Sequence, residues 1–266
     1  MSISFCTIAS GSSGNCTYVR AGDTAVLVDV GLAGRAIVEG LQAREIDPCS
    51  ITAIFITHDH SDHIKGAGVI SRRFNLPIYA TAGTWNYAER YKILGKLNPA
   101  NKMVVRNGVA IHLGDLQVMP FTLPHDASEP VGYSFTTDQH KVVIATDLGH
   151  INPHVASHIS GADILLIEAN YDKQMLETGS YPAHLKQRIA GAMGHLSNVD
   201  CGAFLADIIC DKTKHIFLGH LSQENNRPMI AYETVKNILL SRKIDAGGKI
   251  GLYVADRHRP SALITL

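Results

Sequence analysis

The sequence predicts an α/β fold in which short apolar strands alternate with amphipathic helices, and three observations carry that reading. Apolar, β-branched runs of strand length recur along the chain, as at Ile51–Thr57, Lys141–Thr146 and His215–Leu218. Between many of them lie segments with helical spacing, such as Ile37, Val38 and Leu41 within Gly34–Arg44. Polar, chemically capable residues gather where strands stop. At 266 residues and 45% hydrophobic content the chain can bury a sizeable core, and one domain over residues 1–266 is expected because no linker, low-complexity tract or repeat divides it.

In order, Ser2–Ala9 reads as a first strand. It ends in Ser10-Gly11-Ser12-Ser13-Gly14-Asn15, a tight turn or a backbone nest. Without the lysine and helix start of a P-loop, the pattern alone favours the turn. Thr17–Arg20 and Thr24–Val30 form a hairpin around Gly22-Asp23, and Asp29 at the end of the second strand is placed to support a neighbouring loop. Helices are expected over Gly34–Arg44, Ile64–Phe74 and around Trp85, Tyr87 and Tyr91, where pattern favours a core-facing aromatic stripe over a nucleotide groove. Strands are expected at Ile78–Ala80, Met103–Arg106, Val109–His112 and Leu116–Phe121, then in a hairpin of Gly132–Thr136 with Lys141–Thr146. Asp163–Ala169 and His215–Leu218 follow, with Ile250–Val254 and Ala262–Leu266 closing the chain. Helices over Asp172–Thr178, Ala183–Met193, Val199–Cys210 and Pro228–Leu240 complete the pattern.

Charge and cysteine usage exclude several classes. Lysine plus arginine and aspartate plus glutamate both number 24, so any nucleic-acid contact must come from a local patch. Five cysteines with no C-x-x-C spacing argue against a disulfide framework and a cysteine zinc site. The N-terminus lacks the features of a signal peptide and no apolar run approaches the ~18 residues of a membrane span, so a cytoplasmic protein with no membrane partner is expected.

The chemistry is concentrated in Thr57-His58-Asp59-His60-Ser61-Asp62-His63. On extended backbone His58 and His60 face one side, while Asp62 and His63 fall where the chain turns into a helix. Four donors within six residues, directly after an apolar strand, do not form a packing pattern even in a chain with 14 histidines. Imidazole and carboxylate donors suit zinc, manganese or iron. His125 follows another strand in a proline-opened loop, Asp147 ends Lys141–Thr146, and His220 follows His215–Leu218.

These motifs, in this order, resemble the signature of the metallo-β-lactamase fold superfamily. The resemblance implies a four-layer αββα sandwich and a hydrolase with two divalent metal ions, zinc or manganese with iron also admissible. It implies that His58, His60 and His125 hold one ion, that Asp62, His63 and His220 hold the other, and that Asp147 bridges them. Asp62, Glu168 and His195 are the catalytic candidates, the last two by analogy with the Glu–His proton-donating pair of RNase Z-type phosphodiesterases.

Spacing narrows the branch. Only 72 residues separate Asp147 from His220, too few for the β-CASP insertion of RNase J-like nucleases, and the 46 residues after His220 leave no room for the helical domain of the glyoxalase II branch. Over essentially its full length the chain resembles the YycJ branch, associated with 5′-to-3′ exonuclease activity on DNA, in which the S-G-S-S-G-N segment lies near the mouth of the metal site. DNA is therefore the expected substrate, with Ser12, Ser13, Asn15, Arg257 and Arg259 as candidate binding residues. The alternatives are a hydrolase of a small phosphodiester, thioester or lactone, and a scaffold on a silenced metal fold, which the complete set of motifs disfavours.

Overall fold

Short strands buried on both faces impose the architecture, because each needs covering on two sides. The computed structural model describes residues 1–266. In chain order the elements are β1 (Ile3–Ala9), β2 (Cys16–Ala21), β3 (Thr24–Val28), α1 (Gly34–Gln42), β4 (Ala53–Phe55), α2 (Ser61–Ile64), α3 (Ala67–Phe74), β5 (Ile78–Thr81) and α4 (Ala82–Arg90). There follow β6 (Lys102–Val105), β7 (Ile111–Leu113), β8 (Leu116–Thr122), β9 (Val131–Thr136), β10 (Lys141–Ala145), α5 (Pro153–Ile159), β11 (Ile164–Glu168), α6 (Lys173–Thr178) and α7 (Ala183–Ala190). The last elements are α8 (Asn198–Ile208), β12 (His215–Gly219), α9 (Pro228–Ser241), β13 (Gly251–Val254) and β14 (Ile264–Thr265). The chain forms two compact units, one of Met1–Thr122, Ala127–His140 and Asp256–Leu266, the other of Leu123–Asp126 and Lys141–Ala255.

The first unit contains a seven-stranded sheet in the order β14-β1-β2-β3-β4-β5-β6, antiparallel from β14 to β3 and parallel from β3 to β6. Its strands alternate between two apolar faces. Cys6, Ile8, Tyr18, Leu27 and Ile54 pack under helices that contribute Ile37, Leu41, Ile70 and Trp85. On the opposite face Phe55 stacks on Tyr79 with ring centroids 4.7 Å apart and meets Tyr133 and Phe135 edge-on at 5.3 and 5.7 Å. Those two residues belong to the antiparallel meander of β7, β8 and β9, so this unit is layered as helices, sheet and meander. Tyr133 satisfies its buried hydroxyl by donating to the Ile56 carbonyl at 2.9 Å.

In the second unit β10, β11, β12 and β13 run parallel. α8 opens with Ser197, whose hydroxyl accepts from the Asp200 N–H, and packs closely on α9, since a Cβ at Gly202 would stand 2.8 Å from Ile238 Cδ1. Both units thus present the carboxyl ends of parallel strands, where open α/β sheets place their chemistry.

Several expectations change. The strand over Ile51–Thr57 is reduced to Ala53–Phe55. The helix expected over Ile64–Phe74 is interrupted at Gly66, whose N–H donates to the Val30 carbonyl and whose missing Cβ would lie 2.0 Å from the Leu32 oxygen. Backbone packing against residues 30–32 therefore restarts the helix as α3. The aromatic stripe is core-facing only at Trp85; Tyr87 and Tyr91 are 38% and 56% exposed. The helix expected to reach Met193 ends at Ala190, and α5 stands where no element was expected.

The Phe55 contacts tie two layers together. Phe55→Ala is expected to cost about 3–5 kcal/mol of unfolding free energy, the usual range for a buried phenylalanine, measured by urea titration. A loss under about 1 kcal/mol would show that the layers are held by other contacts.

Candidate metal centre

In the first unit the donors follow β4. The chain leaves the ladder at Thr57, and His60 is still extended where it opens the single turn of α2. The His58 ring lies 4.7 Å from that of His60 and 4.0 Å from that of His63, centroid to centroid, and His63 Nε2 is 3.4 Å from Asp62 Oδ2. Asp29, beyond the end of β3, organises this group. Its Oδ1 accepts from the Thr57 N–H at 2.9 Å, and its Oδ2 accepts from the Thr57 hydroxyl at 2.9 Å and from His63 Nδ1 at 2.7 Å. Because the Thr57 hydroxyl spends its one proton on Asp29, it accepts from His58 Nδ1 at 3.0 Å. Both imidazoles therefore carry their proton on Nδ1 and their basic nitrogen is Nε2, as metal-binding histidines require.

Three residues that were not singled out as site residues complete this unit's site or change its reading. Asp59 is buried and accepts from the Ser128 N–H at 3.3 Å and from its hydroxyl, which anchors the loop between the two first histidines. Thr57 relays Asp29 to His58, as above. Gly31 passes so close to the motif that a Cβ there would lie 1.5 Å from the Asp62 oxygen. Asn15, expected among the substrate-binding residues, is instead buried against the motif. Its N–H donates to the Asp62 carbonyl at 2.8 Å, and its side-chain amide lies 3.0 Å from His63 Nε2 and 3.4 Å from Asp62 Oδ2. Ser12 and Ser13 lie in the same loop at the surface, and Arg257 reaches them, Nη1 donating to Ser12 Oγ at 3.2 Å and Ser13 Oγ at 3.5 Å. Arg259 is exposed, its N–H donating to Asp256 Oδ1 at 2.9 Å.

The second unit gathers His125, Asp147, Glu168, His195 and His220. Asp147 Oδ1 lies 3.7 Å from His125 Nε2, 3.6 Å from His195 Nδ1 and 3.3 Å from His220 Nδ1. His125 Nδ1 donates to the Gly194 carbonyl at 2.9 Å, leaving Nε2 as its basic nitrogen. Glu168, fully buried at the end of β11, accepts on Oε1 from both His195 Nδ1 and His220 Nδ1 at 2.9 Å and on Oε2 from the N–H groups of Leu148 and Leu196 at 3.1 and 3.0 Å. Asn170, also unanticipated, donates to the His220 carbonyl at 2.7 Å. Asp29, Asp147 and His220 all adopt left-handed backbone conformations, with φ of 60°, 64° and 55°. Such conformations cost roughly 1–3 kcal/mol each and persist where surrounding bonds enforce them.

The donors fit a divalent metal. They are nitrogen and oxygen only, most of the imidazoles have Nδ1 engaged by an acceptor, and the carboxylates are held by backbone N–H groups or lie against imidazole, the environment that orients ligands for zinc, manganese or iron. In the second unit, burial alone would raise the Glu168 carboxyl group, but the His195 charge and the hydrogen bonds from His195 and His220 outweigh it and lower the group from 4.5 to about 2. Burial opposes the charge on His195 too, and the neighbouring Glu168 carboxylate overcomes it and raises the imidazolium. The folded value of Glu168 is the depressed one, so its ionised form stabilises the metal-free fold above pH 4.5 and that contribution is lost as pH falls toward 2. Urea stability of the metal-free protein should therefore decline through that window, and Glu168→Gln should show a flatter profile; parallel profiles would place the acid sensitivity elsewhere.

Comparison with known proteins gives the same assignment independently. Residues 24–220 match the family model of the beta-lactamase superfamily domain. The chain is 36% identical over 263 residues to the exodeoxyribonuclease YycJ of Bacillus anthracis, covering 99% of both chains. It is 39% identical over 246 residues to the exodeoxyribonuclease WalJ of Streptococcus pneumoniae, covering 92% of this chain and 91% of that one. The metallo-β-lactamase fold protein YhfI of Bacillus subtilis superposes with a TM-score of 0.72 over 98% of this chain and 99% of the other at 16% identity, a likeness of fold. With its two seven-stranded sheets and strand-end donors, the chain belongs to the metallo-β-lactamase fold superfamily, among the relatives of YycJ and WalJ.

Proposed function

We propose that the protein is a metal-dependent phosphodiesterase that degrades DNA from its 5′ end. The observation that carries this reading is the Glu168–His195 pair beside Asp147, because a proton donor next to a hydrolytic centre suits a substrate whose leaving oxygen departs poorly without protonation. Near full-length similarity to proteins named exodeoxyribonucleases supports DNA as the substrate. No helix is long and apolar enough to cross a membrane.

In this reading His58, His60 and His125 would hold one ion, Asp62, His63 and His220 the other, with Asp147 shared. Two bound divalent ions supply electrophilic charge and lower the pKa of water toward neutrality. The chain's own residues do the rest. Asp29 and Glu168 hold four imidazoles in place, two of them through Thr57 and directly at His63, so that no reorganisation is needed during the reaction. His195 keeps its proton by virtue of Glu168 and, with Nδ1 occupied, presents Nε2–H to the departing oxygen. Its side chain is 17% exposed, enough to meet a substrate while remaining shielded from bulk water.

Protein loaded with zinc or manganese should approach two ions per chain by elemental analysis, and Asp147→Asn should lower both occupancy and turnover of 5′-phosphorylated DNA. A stoichiometry near zero would sink the dinuclear reading. Cleavage of a thioester or β-lactam with DNA untouched would sink the nuclease reading. His195→Ala should slow DNA at least ~100-fold while slowing bis-p-nitrophenyl phosphate, whose anion leaves unaided, much less, with metal content unchanged. Equal losses on both substrates would assign His195 a structural role.

A further inference from the structure

The loop from Ser10 to Asn15 has the parts of an anion cradle, and it is joined to the metal motif. Asn15 fixes one end of it on Asp62 and His63, and its Oδ1 accepts from the Gly11 N–H at 2.8 Å, closing the loop on itself together with the Gly14 N–H donating to the Gly11 carbonyl at 2.9 Å. This ring leaves the N–H groups of Ser12 and Ser13 at the tip, where they donate to no protein acceptor. Their hydroxyls stand beside the Arg257 guanidinium, and Lys65 Nζ donates to the Ser13 carbonyl at 3.0 Å. Two neighbouring N–H groups, two hydroxyls, a guanidinium and an ammonium at one loop tip are the donors that a phosphate dianion takes.

Two features make this more than a clamp between the C-terminal segment and the loop. Gly11 has φ +145°, and a Cβ there would come within 3.1 Å of Arg257 Nη1, so the missing side chain is what lets the guanidinium lie over the loop. The residue before Arg257 is itself fixed, for Asp256 supplies its carbonyl to the Ser10 N–H and its Oδ1 to the N–H groups of His258 and Arg259. A positive charge is thus pre-positioned on the loop at little cost in side-chain entropy on binding. Ser12 and Ser13 are two or three residues from Asn15, a reach of at most roughly 10 Å along the chain, which is the scale of one nucleotide step from the hydrolytic residues.

Resting on the nuclease reading, we infer that Ser12, Ser13, Lys65 and Arg257 form a pocket for the 5′-terminal phosphate of the DNA strand. A terminal phosphate carries more charge than an internal one and has no nucleotide beyond it, so a closed loop tip admits the end of a strand and excludes its middle. The pocket would set both the exonucleolytic mode and the polarity, and each turnover would expose a new 5′-phosphate for the next.

The test compares kcat/KM on one single-stranded DNA bearing either a 5′-phosphate or a 5′-hydroxyl, using metal-loaded protein. The wild type should favour the phosphorylated end by about tenfold to a hundredfold, the worth of a hydrogen bond to a charged group. Arg257→Ala, and Arg257→Gln as a variant that keeps more of the packing, should reduce that ratio to about twofold, while Arg257→Lys retains part of it. Ser12→Ala combined with Ser13→Ala should reduce it independently of any effect at the C-terminal segment. DNA degraded with no 5′-phosphate preference in the wild type, or a preference that survives Arg257→Ala and Arg257→Gln, overturns the pocket and leaves the nuclease reading standing. Bis-p-nitrophenyl phosphate cleaved with both DNAs untouched overturns the nuclease reading and the pocket together.

Discussion

The arrangement of the site depends on buried carboxylates that each do several jobs at a strand end. Glu168 accepts four hydrogen bonds, two from imidazoles and two from backbone N–H groups. A buried carboxylate is costly unless so satisfied, and once satisfied it ties together everything that donates to it. The loop after β10, through Leu148, and the segment before α8, through Leu196, are thereby fixed to β11 together with His195 and His220. Asp29 repeats the solution in the other unit, accepting from the Thr57 backbone and from His63. In both cases a chain segment and an imidazole answer to the same carboxylate, so ligand orientation is inherited from the backbone scaffold.

That solution is held against local backbone preference. Asp29, Asp147 and His220 sit in left-handed conformations that aspartate tolerates better than most residues and histidine less readily. Each directly follows a buried parallel strand, and the abrupt turn there aims the side chain back over the strand ends instead of along the next loop. Gly31 and Gly149 serve the same end by absence, since a Cβ at Gly149 would lie 2.4 Å from the Ala192 carbonyl. The site is therefore a region where stability is given up for geometry, with the apolar core of each unit as the compensating reserve.

Much of this was legible because metal-binding residues are conspicuous where packing residues are expected. His58, His60, Asp62 and His63 interrupt a strand pattern, and Asp147 and His220 each end one, so strand period and residue chemistry pointed to the same places. Asp29 was readable for the same reason. The Glu168–His195 pairing needed an analogy, since 26 residues and two helices separate the two in the chain. Asn15 was misread as a substrate residue because the partner that buries it, Asp62, is 47 positions away, and no local pattern records so distant a contact. The outward tyrosines of α4 show the same limit: helical spacing defines a stripe, but only the sheet decides that Trp85 and not Tyr91 faces it. The start of α5 was signalled, by Asn152 as cap and Pro153 as first residue, and the shortness of the helix hid it.

The return of residues 256–266 to the first unit has a consequence for how the chain is made. β14 pairs with β1, Ser4 lying opposite Thr265, so the outer edge of the sheet cannot be closed until a segment some 260 positions later has emerged from the ribosome. Until then β1 presents an unpaired row of N–H and C=O groups on an apolar strand, a template for pairing with another chain. Delayed closure of this edge makes the nascent protein a client for chaperones at the stage when β14 is still missing, and it couples completion of the translated chain to burial of its oldest strand.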